Sequence, residues 1–212
     1  MKKKKNRGFF ITCEGGEGSG KTTLITRLYD HFLSQGYKVF KTKEPGATQL
    51  GETIRELLLY KTKYYPTKRA ELLLYLADRA QHVEEQLLPA LSQGELVLCD
   101  RFTDSTLAYQ GAARRFLDFA TLRTFCAFAS GDLTPDLTLF LDIDPQIGFA
   151  RTKQKRRLDR LENEELSFHV RVREAFLLFS QKEPDRFYVI DGSQQPNIVF
   201  TLAAKKIDAL LC

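Results

Sequence analysis

Gly15-Gly16-Glu17-Gly18-Ser19-Gly20-Lys21-Thr22 is the stretch on which the reading of the whole chain turns. It follows the spacing G-x-x-x-x-G-K-[ST]. Gly8-Phe9-Phe10-Ile11-Thr12-Cys13 before it reads as a short buried strand, and Thr23-Leu24-Ile25-Thr26-Arg27-Leu28 after it opens a helix with apolar positions at Leu24, Ile25 and Leu28. Glycines let the backbone curl so that several N–H groups point inward, and the helix N-terminus adds positive potential. Lys21 is placed to reach terminal phosphates, and the Thr22 hydroxyl to take a position on Mg²⁺. The alternative is a glycine-rich turn that binds nothing; the strand–helix context and the Lys-Thr pair weigh against it. The triphosphate site so defined comprises Gly15, Gly16, Glu17, Gly18, Ser19, Gly20, Lys21, Thr22 and Thr23.

Working outward, the first helix runs from about Lys21 to Ser34, with Gly36 as its stop. Tyr37 to Thr42 reads as a second strand, closed by the turn Lys43-Glu44-Pro45-Gly46. Gln49 to Tyr60 reads as a helix with Leu50, Ile54, Leu57 and Leu58 on one side, and Lys68 to Leu91 as one long helix. Further strands are expected at Glu95–Asp100, Asp136–Asp142 and Phe187–Asp191, and helices at Leu117–Ser130, from Ile147, at Ser167–Ser180 and at Ile198–Leu211. This alternation predicts an α/β fold, a parallel sheet covered by helices on both faces through right-handed crossovers. In such sheets ligands bind at the carboxyl ends of strands. The chemistry-bearing residues collect there: the glycine loop after the first strand, Glu44 after the second, Asp100-Arg101 after the third, Asp142 and Asp144 around the end of the fourth.

With 212 residues the chain suits a single domain, and 43% hydrophobic residues with 16 Phe and no Trp make a globular composition. Lys2 to Lys5 carry four of the five net positive charges. The basic balance therefore belongs to the tail, residues 1–7, expected to be solvated and disordered rather than a nucleic-acid or membrane patch. No leader and no membrane span are expected: the run Phe9 to Cys13 is short and meets Glu14. Cys13, Cys99, Cys126 and Cys212 lack metal-ligand spacing, and Cys13 and Cys99 fall in adjacent strands, as reduced packing residues would. The expected compartment is the cytoplasm.

A GTPase would carry N-K-x-D and D-x-x-G; neither is present. A small kinase remains. If its acceptor is itself a phosphate, no protein base is needed, and positioning with charge neutralisation supplies the catalysis. Lys21 serves the donor; Arg55, Arg79 and Arg101 can face the cleft; the basic run Arg151 to Arg160 is a candidate lid. Asp100, closing an apolar strand, is placed to hold Mg²⁺ through water. Tyr75 and Arg79 share one helix face. Glu17, a carboxylate among phosphate-binding amides, is tolerable only pointing away, toward a second substrate's hydroxyl. A nucleoside kinase, with Glu14 or Glu44 as base, and a non-catalytic nucleotide- or nucleic-acid-binding protein remain as alternatives; intact Lys21, Thr22 and Asp100 weigh against the latter.

EGGEGSGKTT at Glu14–Thr23, KEPGATQLGETIRELLL at Lys43–Leu59, LADRAQHV at Leu76–Val83, DRFTDSTLAYQG at Asp100–Gly111 and RRLDRLE at Arg156–Glu162 together make the chain resemble the bacterial thymidylate kinases nearly end to end. The resemblance implies a three-layer P-loop kinase fold with five parallel strands and a short basic lid over about 151–162. It implies phosphorylation of dTMP to dTDP, on the route to dTTP, with ATP and Mg²⁺ by direct in-line transfer. By position, Tyr75 would stack on thymine, Arg79 and Thr106 would contact the base, and Tyr109 would crowd the sugar 2′ position. Glu17 would lie near the 3′-hydroxyl, Arg55 and Arg101 on the dTMP phosphate, and Glu44 in the phosphate and metal network. Metal falls to Thr22 and Asp100. Lys43 and Ala47 stand where relatives commonly carry Arg and Gly. Relatives without an arginine in the glycine loop use lid arginines on the ATP phosphates; Arg157 is the first choice here and Arg151 the second. The family is typically a homodimer, for which Phe116, Phe119, Phe125 and Phe128 offer apolar contacts or, equally, core packing.

Overall fold

The computed structural model describes residues 7–60, 65–152, 160–161 and 164–211. Five strands, β1 (Phe9–Gly15), β2 (Val39–Lys43), β3 (Leu96–Asp100), β4 (Leu137–Asp142) and β5 (Phe187–Asp191), form one sheet in the order β2-β3-β1-β4-β5, every pair parallel. The glycine loop thus leaves the central strand. Each expected strand is present within two residues of its expected ends; β1, β3, β4 and β5 are largely apolar runs, and β2, the edge strand, is half polar.

Alternation along β1 sends its side chains to two layers. Ile11 and Cys13 face α1 (Lys21–Ser34), where Leu24, Ile25, Leu28 and Phe32 are buried with residues of the C-terminal helix, Pro196–Leu211. Phe10, on the opposite face, packs with Val97, Cys99 and Phe102, and Phe140 of β4 stacks on Phe176. That second face also carries a buried polar seam: Thr12 and Thr138 hydroxyls lie 3.0 Å apart, and Arg186 donates to Thr138 Oγ1 (2.7 Å) and to both Asp104 oxygens (2.6 and 2.9 Å). Cys13 and Cys99 sit on neighbouring strands, and Cys13, Cys99 and Cys126 are unpaired.

Three expectations are corrected. In α2 (Gln49–Leu59) the buried side is Gly51, Ile54, Leu58 and Leu59, while Leu50 and Leu57 are about half exposed. The long helix is interrupted: α3 (Lys68–His82) passes into a π-helical turn, Val83–Leu87, before α4 (Leu88–Ser92). Leu88 N–H reaches back to Val83 O; Pro89 next to it has no N–H, and its ring needs room against the preceding turn, which the wider π turn gives. The stretch after β3, assigned no element from sequence, is helical: α5 (Thr103–Thr106) and a π segment, Leu107–Ala113, precede α6 (Phe119–Ser130). The chain continues as α7 (Pro145–Thr152) and α8 (Leu166–Lys182), with α9 (Pro196–Leu211) last. Arg7, read from sequence as tail, pairs with Asp136 at 3.2 Å; residues 1–6 lie outside the described residues.

Candidate active site

The loop between β1 and α1 is built as a cradle. Gly15, Gly18 and Gly20 have φ of 145°, 68° and 95°, a region that L side chains avoid. A Cβ on Gly18 would lie 2.2 Å from Gly148 O, so α7 packs directly on the loop tip, whereas Gly16 and Gly20 face open space. The Ser19 hydroxyl closes the loop on Gly16 O (2.8 Å). Lys21 Nζ lies inside it, donating to Gly15 O (3.1 Å) and Gly16 O (2.9 Å). Burial first, then the Arg101 charge, lower the Lys21 pKa. The Thr22 hydroxyl donates to Asp100 Oδ2 (3.0 Å), which joins the start of α1 to the end of β3. This pair offers only oxygen, the donor type that suits Mg²⁺ alongside waters and phosphates. Among the described residues no cluster of three or more His, Cys, Asp or Glu could hold a metal alone.

Arg101 is the hub between this cradle and the opposite wall. Its backbone is left-handed (φ 72°). Its Nη1 donates to Gly15 O (3.1 Å) and Ser105 Oγ (3.2 Å), its Nη2 to Glu17 Oε1 (2.6 Å), and the guanidinium lies 5.1 Å from the Tyr109 ring centre. Burial works against its charge, but Tyr109, Glu17, Asp100 and Glu14 outweigh it and raise the pKa well above the ordinary value. Beneath it, Glu14 is fully buried; its oxygens accept Phe102 N–H (2.8 Å) and the Ser105 hydroxyl (2.6 Å). Burial and then Asp104 push the Glu14 carboxyl up to about 7, against the pull of Arg101, Ser105 and Phe102.

A single cleft of about 770 Å³ runs from this loop across the carboxyl ends of β2 and β3. Its lining brings together Glu17, Lys21, Thr22, Glu44, Arg55, Tyr75, Arg79, Asp100, Arg101, Thr106 and Tyr109, residues from distant parts of the sequence. The thymidylate kinase family model matches residues 13–202. The thymidylate kinase of Protochlamydia amoebophila is 49% identical over 98% of this chain and 96% of its own length. That of Carboxydothermus hydrogenoformans is 50% identical over 92% and 94%, and that of Pseudomonas fluorescens 46% identical over 96% and 95%. The chain belongs to the thymidylate kinase family. It is accordingly an enzyme of that reaction class, phosphorylation of dTMP to dTDP.

The wall of the cleft away from the glycine loop is made by α3 and the α5–π segment. Tyr75 and Arg79 are buried on one face of α3. Arg79 Nε and Nη2 hold Glu44 Oε2 (2.9 and 2.8 Å), its Nη1 donates to Thr106 Oγ1 (2.8 Å), and its guanidinium lies 5.0 Å from the Phe102 ring centre. Burial would raise the Glu44 pKa, but Arg79 and His82 hold it below the usual value. Among the described residues the buried Tyr109 hydroxyl has no well-formed hydrogen bond, and the Arg101 guanidinium lies beside its ring. Arg55 donates to Pro45 O (2.6 Å) at the cleft edge.

Other residues take places the sequence did not assign. Arg151 does not line the cleft; it donates to Gly18 O (3.3 Å), Gly192 O (2.8 Å) and Ser193 O (3.0 Å) at the loop tip. Arg157 lies outside the described residues. Arg160, at the end of the expected lid, pairs with Glu71 and donates to Leu58 O (3.1 Å). Asp142 and Asp144 are paired with Arg173, not presented to the cleft. Ser105, Gln110 and Leu161 line the cleft and were missed. Among the described residues no helix is long and apolar enough to cross a membrane.

Proposed function

We propose that this chain transfers the γ-phosphoryl group of ATP to the 5′-phosphate of dTMP by direct in-line displacement, with Mg²⁺. The observation that carries this is one cleft lined by both a phosphate cradle with Lys21 and, facing it, the aromatic–guanidinium wall of Tyr75, Arg79, Thr106 and Tyr109. Two polyanions meeting head to head need cations between them, and Arg101 and Arg55 line the space where they would meet. The acceptor oxygen is already anionic, so no general base is required.

Thr22 and Asp100 would hold the metal. When bound, Mg²⁺ neutralises phosphate charge and orients the donor. Lys21, freed from Gly15 O and Gly16 O, turns its ammonium to the terminal phosphates. Glu17, held by Arg101, is aimed at the acceptor sugar, and Tyr75 stacks on the base. Tyr109 limits space at the sugar and favours deoxyribose. Arg157, and after it Arg151, are our candidates for the lid cation. We further propose a homodimer, supported by the exposed Phe125 and Phe128 of α6, and action in the cytoplasm as a single domain, in keeping with unpaired Cys13, Cys99 and Cys126.

A coupled assay of ADP release with dTMP, ATP and Mg²⁺ tests the reading: turnover that depends on all three is expected. Turnover with thymidine but not dTMP, or none above background, would overturn it.

A further inference from the structure

His82 has no place in the chemistry above, yet it is fully buried next to the acceptor wall. Its Nδ1 lies 2.9 Å from Glu44 Oε1 and its Nε2 lies 2.8 Å from Thr42 Oγ1. Glu44 uses its other oxygen on Arg79, and Arg79 goes on to Thr106. The result is one chain, Thr42–His82–Glu44–Arg79–Thr106, running from the end of β2 through α3 to α5. Thr42, Glu44, Arg79 and Thr106 line the cleft, and the ring at 82 lies behind them.

From this chain we infer that His82 is a positioning residue of the acceptor site, holding through Nδ1 the Glu44 carboxylate that fixes Arg79. The inference rests on the reading of this cleft as a dTMP site. Glu44 is charged and accepts only, so the Nδ1 position must carry the proton. A carboxylate gripped on both oxygens has one orientation. Its Arg79 partner, lying on the Phe102 ring, then keeps one orientation too. Losing the Nδ1 bond leaves Glu44 Oε1 buried without a donor among the described residues, and Glu44 and Arg79 gain freedom together. The cost falls on acceptor recognition, because neither the glycine loop nor Lys21 belongs to the chain.

Two substitutions separate the two ring nitrogens. His82→Asn puts an amide N–H near the place of Nδ1 and keeps the Glu44 bond; His82→Gln puts one near Nε2 and keeps only the Thr42 bond. Kinetics with varied dTMP and varied ATP are expected to give H82N a dTMP KM within about threefold of wild type. H82Q is expected to raise dTMP KM by roughly ten- to a hundredfold, the scale of a hydrogen bond to a buried charge, with ATP KM unchanged. Equal behaviour of the two variants, the reverse order, or an equal rise in both KM values overturns the inference. Wild type that leaves dTMP unphosphorylated overturns instead the reading on which it rests. Nitrogen-15 NMR of the wild-type imidazole needs neither variant fold nor activity: a proton on Nδ1 is expected, and a ring protonated on Nε2 alone overturns the inference.

Discussion

Removing Arg101 tests the centre of the site, and two substitutions there separate catalysis from stability. Its guanidinium makes three short polar contacts, to Gly15 O, Ser105 and Glu17, where donor and acceptor phosphates would meet. Arg101→Ala removes a preorganised cation, a loss on the scale of about 3–4 kcal/mol in the transition state, or roughly 10²–10³ in kcat. Glu17 is left without that partner but is partly exposed and can be rehydrated, so its share of the folding cost is small. The backbone gives the second handle. A φ of 72° costs any residue with a Cβ about 1 kcal/mol or more, and glycine almost nothing. Arg101→Gly should therefore be as inactive as Arg101→Ala yet more stable than it by about 1 kcal/mol, or roughly 2–4 °C in Tm for a chain of this size. Steady-state kinetics and thermal unfolding of the two variants measure both quantities. Arg101→Ala turning over within fivefold of wild type would refute the role of the guanidinium, and Arg101→Gly no more stable than Arg101→Ala would refute the strain.

Three further expectations follow from neighbouring contacts. Lys21→Ala should lose at least roughly a hundredfold in kcat/KM for ATP with little change in Tm, since Nζ binds only groups of its own loop, the Gly15 and Gly16 carbonyls and the Ser19 hydroxyl; near-wild-type turnover would count against it. Gly18→Ala sets a Cβ 2.2 Å from Gly148 O, a backbone atom that cannot swing away, so urea unfolding should show a loss of about 2 kcal/mol or more. Gly20→Ala, with φ 95° but open space, should lose only about 1 kcal/mol of strain energy. Glu14 binds its proton more tightly folded, at about 7, than unfolded, near 4.5. Its contribution is complete below about 4.5 and lost as pH rises through 7, on the order of 3 kcal/mol at most. Asp78, raised to about 6 by burial and by Glu44, adds the same sign over a lower window. Wild-type Tm should fall from pH 5 to pH 8 more steeply than that of Glu14→Gln; parallel profiles would contradict the assignment.

Four strands were legible because each is a largely apolar run, β2 because Tyr37 to Thr42 stops at the turn Lys43-Glu44-Pro45-Gly46, and the first helix because its Leu24-Ile25-Leu28 stripe meets Gly36. The buried side of α2 was not. Leu50, Ile54, Leu57, Leu58 and Leu59 span more than one face, and only docking on α3 selects Ile54, Leu58 and Leu59. The helix after β3 was hidden because Thr103, Ser105, Thr106, Tyr109 and Gly111 are poor helix formers, and its π turn shifts Tyr109 and Gln110 out of ordinary helical phase. Glu17, Glu44, Asp100 and Arg101 were legible because they lie at or just after strand ends, whereas Arg55, Tyr75 and Arg79 lie on helices and Thr106 and Tyr109 were assigned only through the family resemblance. The long-range partners were not legible: His82 is 38 residues from Glu44, and Arg186 is 82 from Asp104. Nothing local marks such pairs.

These long-range pairs change how the glycine loop is understood. Read alone, the loop is a donor cradle with an odd carboxylate in it. In the fold, Glu17 is gripped from the acceptor side by Arg101, and the Gly18 carbonyl at its tip is gripped from α7 by Arg151. The same arginine reaches Gly192 and Ser193 beyond β5. Loop, third-strand arginine and seventh helix are therefore one mechanical unit, and a shift of α7 moves the phosphate amides directly. Arg151 already spends three N–H bonds on carbonyls, so using it on a phosphate would loosen the tip that shapes the cradle. That trade favours a holding role for Arg151 and leaves Arg157 the stronger of the two proposed lid cations, to act beside Lys21, Arg55 and Arg101, which line the cleft.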